Sequence, residues 1–281
     1  MKYLAIIEDT IREGLARKTI LGMFIVSTVV IVVCAIIFQL DVVQKGLLAP
    51  AQGHIQTGPN QPAQNLLGST VLDMVWMGVA ASLMMLVVFI GTLVTTGFVT
   101  SIMEKGTIDL LLSKPVPRWM YVAGRYSGAV LIIFGEVSYL ILGLWVVAGV
   151  SLGSWGPLFL ASILIITLAF AGVYAVVTLF AVLTRSSWFA LILALILYVV
   201  AGVILPLAAW LDRLLTGSTE HGTLSVIARI MHYTVPSEGI SKTLAYTLTH
   251  NGMEWTPILL TFGLAIVYVG GACFAFSKKQ F

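Results

Sequence analysis

One acidic residue of this chain lies deep inside an apolar run, where a carboxyl group could do chemistry. Glu136 stands in the segment "GAVLIIFGEVSYLILGL", about two helical turns after Gly128. A carboxyl group in such surroundings could hold a proton, pair with a basic residue of another element, or line a translocation path. It could equally be a neutral group that holds helices together. Glu136 is therefore a candidate residue of a translocation path, and the structural interpretation stays open.

Histidine and methionine could together bind a soft metal such as copper. The four histidines lie outside the apolar runs: His54, His221, His232 and His250. Four methionines follow one apolar run: Met74, Met77, Met84 and Met85. No two histidines have the local spacing of a ligand pair, and methionines along a helix usually serve packing. The two cysteines, Cys34 and Cys273, lie in separate apolar runs and are expected to act as small hydrophobic residues. We predict no metal site.

The chain lacks the short motifs that carry common catalytic chemistry. It contains no G-x-x-x-x-G-K-[ST] loop that could cradle phosphates, and no H-E-x-x-H, C-x-x-C or G-x-S-x-G motif. An enzyme would need acids, histidines or metal ligands clustered at one depth, and the sequence offers no such cluster. We therefore expect no catalytic residue and no cofactor bound by this chain.

The composition indicates a membrane protein. Of the 281 residues, 59% are hydrophobic and only 10% are charged, and the mean hydropathy is +1.03. A soluble domain carries about 25% charged residues, so a soluble chain this apolar could not cover its own surface. The net charge of +3 gives no reason to expect nucleic-acid binding.

Six apolar runs are long enough to cross a bilayer as helices, which needs about 20 residues each. They cover residues 19–40, 70–99, 126–150, 157–183, 188–211 and 256–276. The sequence therefore predicts an all-α membrane protein with one transmembrane domain over residues 1–281. Residues 41–69 are predicted to form an irregular outer loop, and a capping box of Thr70 and Asp73 to begin the second span. Residues 212–255 are expected to form short outer re-entrant helices before the last span.

The distribution of lysine and arginine predicts the orientation in the membrane. Eleven of the 15 basic residues lie on the side of both termini: Lys2, Arg12, Arg17, Lys18, Lys105, Lys114, Arg118, Arg125, Arg185, Lys278 and Lys279. Four lie on the other side: Lys45, Arg213, Arg229 and Lys242. Because basic residues are enriched in cytoplasmic segments, we expect both termini to be cytoplasmic.

The first 18 residues form an amphipathic pattern rather than a span. Leu4, Ile7, Ile11 and Leu15 recur at helical spacing, and charged residues lie between them. The pattern predicts a helix that lies in the inner membrane interface before the chain enters the membrane. A short soluble helix is the alternative.

The most charged segment between two spans reads "SIMEKGTIDLLLSKPVPR". Glu104–Gly106 ends the second span, and Thr107 can cap a short helix that extends to Ser113. Pro115 and Pro117 end that helix, since proline disfavours helical backbone in the residue before it. A short helix with charges at its rim, projecting from the inner face, suits docking to a cytosolic partner.

This segment and the start of the third span resemble the loop of ABC type-2 transporter permeases. In that family the loop runs E-[RK]-x-G-T-[LI]-[ED]-x-L-L-[SA]-x-P-[VI]-x-R and is followed by G-[KR]-[YF]-x-G. Residues 104–109, 111–113, 115, 116 and 118 match the first part, and Gly124, Arg125, Tyr126 and Gly128 match the second. The one departure is that Gly106 follows Lys105 directly. The layout is similar to that of the permease associated with nitrous-oxide-reductase maturation.

The resemblance implies a division of labour between subunits. The loop would be a coupling helix that docks on a separate cytosolic ABC ATPase, which would bind ATP and Mg²⁺. The implied docking residues are Glu104, Lys105, Gly106, Thr107, Ile108, Asp109, Leu112, Ser113, Pro115 and Arg118. Two permease copies, identical or paralogous, would work with two ATPases in the lipid of a bacterial or archaeal plasma membrane, and would export a substrate. Residues 1–18 would be the family's elbow helix.

Two other functions stay open. A secondary transporter or channel acting alone would show internal repeats and several polar residues within its spans, whereas here only Glu136 stands out. A permease that transmits force to an outer or periplasmic protein, through residues 212–255, would not need to pass a substrate.

Overall fold

The computed structural model describes residues 2–16, 18–39, 62–101, 117–152, 155, 157–200, 207, 243–244 and 255–278. Within these ranges the secondary structure is helical and contains no strand, so the all-α prediction is confirmed for this part of the chain. The longer elements are α1 (Lys2–Ala16), α2 (Lys18–Gln39), α3 (Pro62–Thr100), α4 (Arg118–Leu152), the 3₁₀ turn Pro157–Leu160, α5 (Ala161–Thr184), α6 (Ser187–Val199) and α7 (Trp255–Lys278).

Five of these helical segments are long and apolar enough to cross a membrane. The spanning segments are Ile20–Ile37, Met77–Thr100, Arg118–Ser151, Pro157–Thr184 and Trp255–Lys278. They correspond to five of the six predicted runs. The fifth run, 188–211, begins as the apolar helix α6, and most of the residues beyond it lie outside the described ranges. A sixth span, and the outer helices predicted for 212–255, therefore stay predictions.

Helix α3 begins earlier than the sequence predicted. It starts at Pro62 and runs for 39 residues, about 58 Å, which is almost twice the ~30 Å of the hydrocarbon core. The predicted loop therefore ends before Pro62, and the predicted capping box is wrong because Thr70 and Asp73 lie inside the helix. Proline suits the first helical position, where its missing N–H would have no helical partner.

Helix α5 is the centre of the bundle. Of its spanning segment, 72% is buried, against 17% for the segments of α2 and α7. It packs against α3, α4, α6 and α7, while α1 and α2 pack mainly on α4. A helix that is apolar on every side suits a central position, and the exposed apolar faces of α2 and α7 suit contact with lipid.

Tyrosine hydroxyls join the central helices to one another. Tyr174 of α5 donates a hydrogen bond to the carbonyl of Thr95 in α3 at 2.9 Å. Tyr126 of α4 donates to the carbonyl of Ala171 in α5 at 2.8 Å, and the two tyrosine rings stack 5.6 Å apart. A buried hydroxyl without a partner would be costly, so these bonds favour one arrangement of α3, α4 and α5.

Candidate functional site

The ends of several helices meet at one end of the bundle, the end that the basic residues predict to be cytoplasmic. The side chain of Thr100, at the end of α3, contacts that of Ser187 at the start of α6. The thiol of Cys273, near the end of α7, donates to the carbonyl of Trp119 in the first turn of α4 at 3.5 Å. The chain between α3 and α4 therefore leaves and re-enters the bundle at this common end.

A tight turn between α5 and α6 lies at the same end. Arg185 adopts a left-handed backbone with φ of 58°, and its N–H donates to the carbonyl of Ala181 at 2.9 Å. Ser186 then caps α6, because its hydroxyl accepts from the N–H of Phe189 at 3.4 Å. The turn with Arg185 thus lies at the same end of the bundle as Thr100, because Ser187 follows it directly.

Most of the predicted docking residues, from Glu104 to Pro115, lie outside the described residues. Arg118 is described and begins α4, whose first turn is closed by a 3.0 Å bond from the N–H of Met120 to the carbonyl of Pro117. On the other flank, the hydroxyl of Ser101 donates to the carbonyl of Phe98 at 2.9 Å. The structure thus describes the two flanks of this charged segment, Ser101 and Arg118.

Helix α1 packs closely on a surface of α4 around Gly124 and Gly128, which we call the seat of α1. This contact was not predicted from the sequence. A β-carbon on Gly124 would come within 2.6 Å of Ile6, and one on Gly128 within 2.6 Å of Thr10. Both distances are far below an ordinary contact, so only glycine permits this approach. The hydroxyl of Tyr3 lies 2.5 Å from that of Ser127 on the same face of α4. Gly124 and Gly128 of the predicted motif therefore form the surface on which α1 packs.

A buried arginine fixes α1 in this seat. The guanidinium of Arg125 pairs with the carboxylate of Glu13, and also reaches a carboxylate oxygen of Asp9 at 3.4 Å. The arginine side chain is 11% exposed, whereas that of Asp9 is 71% exposed. A charge taken out of water needs a partner, and the two acids supply it. The signal in the sequence that could have indicated this ion pair is the spacing of Asp9 and Glu13, four residues apart on one side of an amphipathic helix.

Glu136 lies in the contact between α2 and α4. Its side chain is 2% exposed, and the hydroxyl of Ser27 in α2 donates to its Oε1 at 2.5 Å. Within the part of the chain that the structure describes, its buried Oε2 has no hydrogen-bond partner. Thr28 and Tyr139 make a second polar contact nearby, with hydroxyls 3.0 Å apart. The geometry joins α2 to α4 through Ser27 and leaves one carboxyl oxygen of Glu136 unpaired among the described residues.

The described residues offer little for a metal. They contain no group of three or more His, Cys, Asp or Glu side chains close enough to hold an ion. All four histidines lie outside the described ranges, so the structure does not test the copper alternative. Cys34 and Cys273 form no disulfide.

An apolar cavity of about 600 Å³ opens between α4, α5 and α7. Three polar side chains in its wall, those of Thr167, Tyr126 and Cys273, have partners within the protein. Thr167 donates to the carbonyl of Ile163 at 2.6 Å, and Tyr126 and Cys273 make the bonds described above. The wall therefore presents mainly hydrocarbon.

Taken together, these features define a helical membrane protein that passes the bilayer several times, with its connecting charged segment at one end. The chain belongs to the family described as ABC-2 family transporter protein, whose sequence profile matches residues 15–281. The match covers nearly the whole chain and confirms the resemblance seen in the charged segment. Membership implies that the chain is the permease component of an ABC transporter. No curated protein sequence matches the chain.

Proposed function

We propose that this chain is the permease subunit of an ATP-driven exporter. Residues 101–118, which we call the docking loop, would dock on a separate cytosolic ABC ATPase. The observation that carries the proposal is the segment "EKGTIDLLLSKPVPR" between α3 and α4. Its two anchors, Ser101 and Arg118, belong to helix ends that lie with those of α6 and α7. A segment held at both ends by the bundle can pass a displacement to several spans at once.

The docking surface would combine shape with charge. Glu104, Asp109 and Arg118 supply charges around the apolar Ile108 and Leu112, and Gly106 and Pro115 delimit the short helix. The ATPase would bind ATP and Mg²⁺, and closure of two ATPases would move two permease copies against each other. The lack of a G-x-x-x-x-G-K-[ST] loop in this chain agrees with ATP binding on a separate subunit.

The exposed surface of α1 supports an inner interfacial location. Leu4 and Leu15 remain 67% and 62% exposed, although they belong to the apolar stripe of the helix. On a neighbouring side, Arg12 and Glu8 form an exposed ion pair at 2.6 Å. A helix with one uncovered apolar stripe and one charged side suits the boundary between lipid and cytosol. Both termini would then be cytoplasmic.

Glu136 is proposed to line the translocation path. A carboxyl oxygen without a partner inside a membrane span is costly, so it is expected to gain one when the helices move. Movement of the other helices relative to α2 and α4 would expose Ser27 and Glu136 to a polar cargo while the two helices keep their contact. The apolar cavity between α4, α5 and α7 would hold acyl chains of membrane lipid.

Purification tests the proposal directly. The tagged permease, expressed with its neighbouring genes and extracted in mild detergent, should carry a stoichiometric ABC ATPase and hydrolyse ATP. The matched control is the permease with Glu104→Lys and Asp109→Lys, which should insert normally but lose the ATPase. A wild-type preparation that is pure, folded and without any ATPase would contradict the proposed function.

A further inference from the structure

Helix α1 presents three different sides, and only two of them were expected. The apolar stripe of Leu4 and Leu15 is uncovered, and the exposed pair of Glu8 and Arg12 occupies a second side. The third side carries Tyr3, Ile6, Thr10 and Gly14, which recur at helical spacing. This side is in close contact with α4.

The contact with α4 is closer than ordinary helix packing. Thr10 lies over Gly128 and Ile6 over Gly124, while a β-carbon on Gly14 of α1 would come within 2.5 Å of Ile132 in α4. Glycines therefore permit the approach from both helices. Small residues let helix backbones approach closely where lipid supplies no hydrophobic drive for association.

Arg125 adds ion pairs to this close packing of α1 on α4. Its guanidinium is almost fully buried and lies between Glu13 and Asp9, one helical turn apart on α1. A buried arginine that is occupied by its own chain is unavailable to a partner subunit. Loss of both acids would leave the guanidinium of Arg125 in a poorly hydrated place, which favours the bound arrangement.

We propose that Arg125 is a positioning residue, and that it locks α1 to α4 so that α1, α2 and α4 move as one unit. This rests on the proposed function, because the motion would start at the docking loop that precedes α4. Helix α2 begins at Lys18, directly after α1 ends at Ala16. Deeper in the membrane, α2 meets α4 again through Ser27 and Glu136. A displacement of the start of α4 would therefore carry α2 with it.

A reversible cross-link tests whether the unit is rigid. In a chain whose Cys34 and Cys273 are replaced by alanine, Ile6→Cys and Gly124→Cys introduce one thiol on each helix. The β-carbon of Ile6 and one built on Gly124 are 3.1 Å apart. This is a few tenths of an ångström below the roughly 3.5–4.5 Å between the β-carbons of a disulfide. The change at Ile6 also removes the methyl group that would clash with a β-carbon at position 124. We expect oxidation to form the bond in full and to cause no loss of ATP hydrolysis by the purified complex. Loss of activity on oxidation, restored by reductant, would overturn the rigid unit.

Arg125 itself is tested by charge exchange in the same complex. Arg125→Met should lower the yield of the cross-link and the ATPase rate, while Arg125→Lys should retain part of both. Arg125→Glu combined with Glu13→Arg should restore the cross-link and the rate relative to Arg125→Glu alone. No difference between the single and the combined variant would overturn the role of Arg125. Absence of an ATPase from the wild-type preparation would contradict the proposed function alone, since the cross-link yield does not depend on a partner.

Discussion

Ser27 of α2 donates a 2.5 Å hydrogen bond to Glu136 of α4, and this bond is buried between two membrane spans. The two residues are 109 positions apart in the sequence. Each lies within a long apolar helix, and each supplies the other with a polar partner that lipid cannot offer. The bond therefore joins α2 to α4 inside the membrane, and its loss would show that the two helices do not move together.

Replacement of Glu136 by glutamine is expected to reduce export while preserving assembly. The amide retains the size of the side chain and can still accept from Ser27, but it cannot ionise. Complementation of a deletion strain measures export, and co-purification of the ATPase measures assembly. The matched control is Ser27→Ala, which removes the bond but keeps the carboxyl. Full export by Glu136→Gln would show that Glu136 is a structural group rather than part of the path.

Reversal of both acids in the docking loop is expected to uncouple the ATPase. Glu104→Lys with Asp109→Lys changes four units of charge at the proposed contact without altering an apolar span. Permease-dependent ATP hydrolysis should be lost, while the amount of permease in the membrane stays the same. Glu8→Lys is the control, because it breaks only an exposed pair on α1, which contributes about 0.3–0.5 kcal/mol. An unchanged ATPase rate in the double variant would count against docking through this loop.

Labelling of single cysteines tests the orientation. In a background without Cys34 and Cys273, Asn60→Cys should react with an impermeant maleimide added to intact cells. Lys114→Cys and Arg185→Cys should react only after the membrane is made permeable. Arg185 is the internal control, since the turn that contains it lies at the same end of the bundle as the anchors of the loop. Labelling of position 114 from outside would reverse the orientation.

Two glycines of α4 should respond oppositely to the same substitution. Gly128→Ala places a β-carbon 2.6 Å from Thr10 and should destabilise the protein by about 1–3 kcal/mol through overpacking. Among the described residues, no atom other than the helix's own nearby backbone lies within 4 Å of a carbon added at Gly135. Gly135→Ala should therefore be neutral or stabilising by up to about 1 kcal/mol through helix propensity. Thermal unfolding of the detergent-solubilised protein measures the difference. Equal thermal shifts for the two variants would contradict the seat of α1 on α4.

The sequence was sufficient for the family and for five apolar helices, since apolar runs and the loop motif are local signals. It failed at the start of α3, because residues between Pro62 and Thr70 are neither apolar enough to indicate a span nor rich enough in helix breakers to exclude a helix. The capping box of Thr70 and Asp73 was consequently assigned to a helix end that does not exist. A segment with polar side chains that lies outside the hydrocarbon can form a helix without the apolar run that indicates a membrane span.

The sequence also could not assign partners to Arg125 and Glu136. Counting basic residues assigned Arg125 to one side of the membrane, but the ion pair with Glu13 depends on how α1 packs on α4. Likewise, Glu136 was recognisable as an unusual residue, whereas its bond to Ser27 depends on the register of α2 against α4. Long-range pairing of helices is a tertiary property, and periodicity within one helix does not encode it.

Photo-cross-linking from the docking loop tests the central claim most directly. A photoreactive amino acid at Ile108 should form a covalent adduct with the co-expressed ABC ATPase, and mass spectrometry of the adduct should identify a surface groove of that subunit. The same amino acid at Asn60 should give no such adduct. Absence of an ATPase adduct from Ile108, in a complex that co-purifies and hydrolyses ATP, would contradict the account.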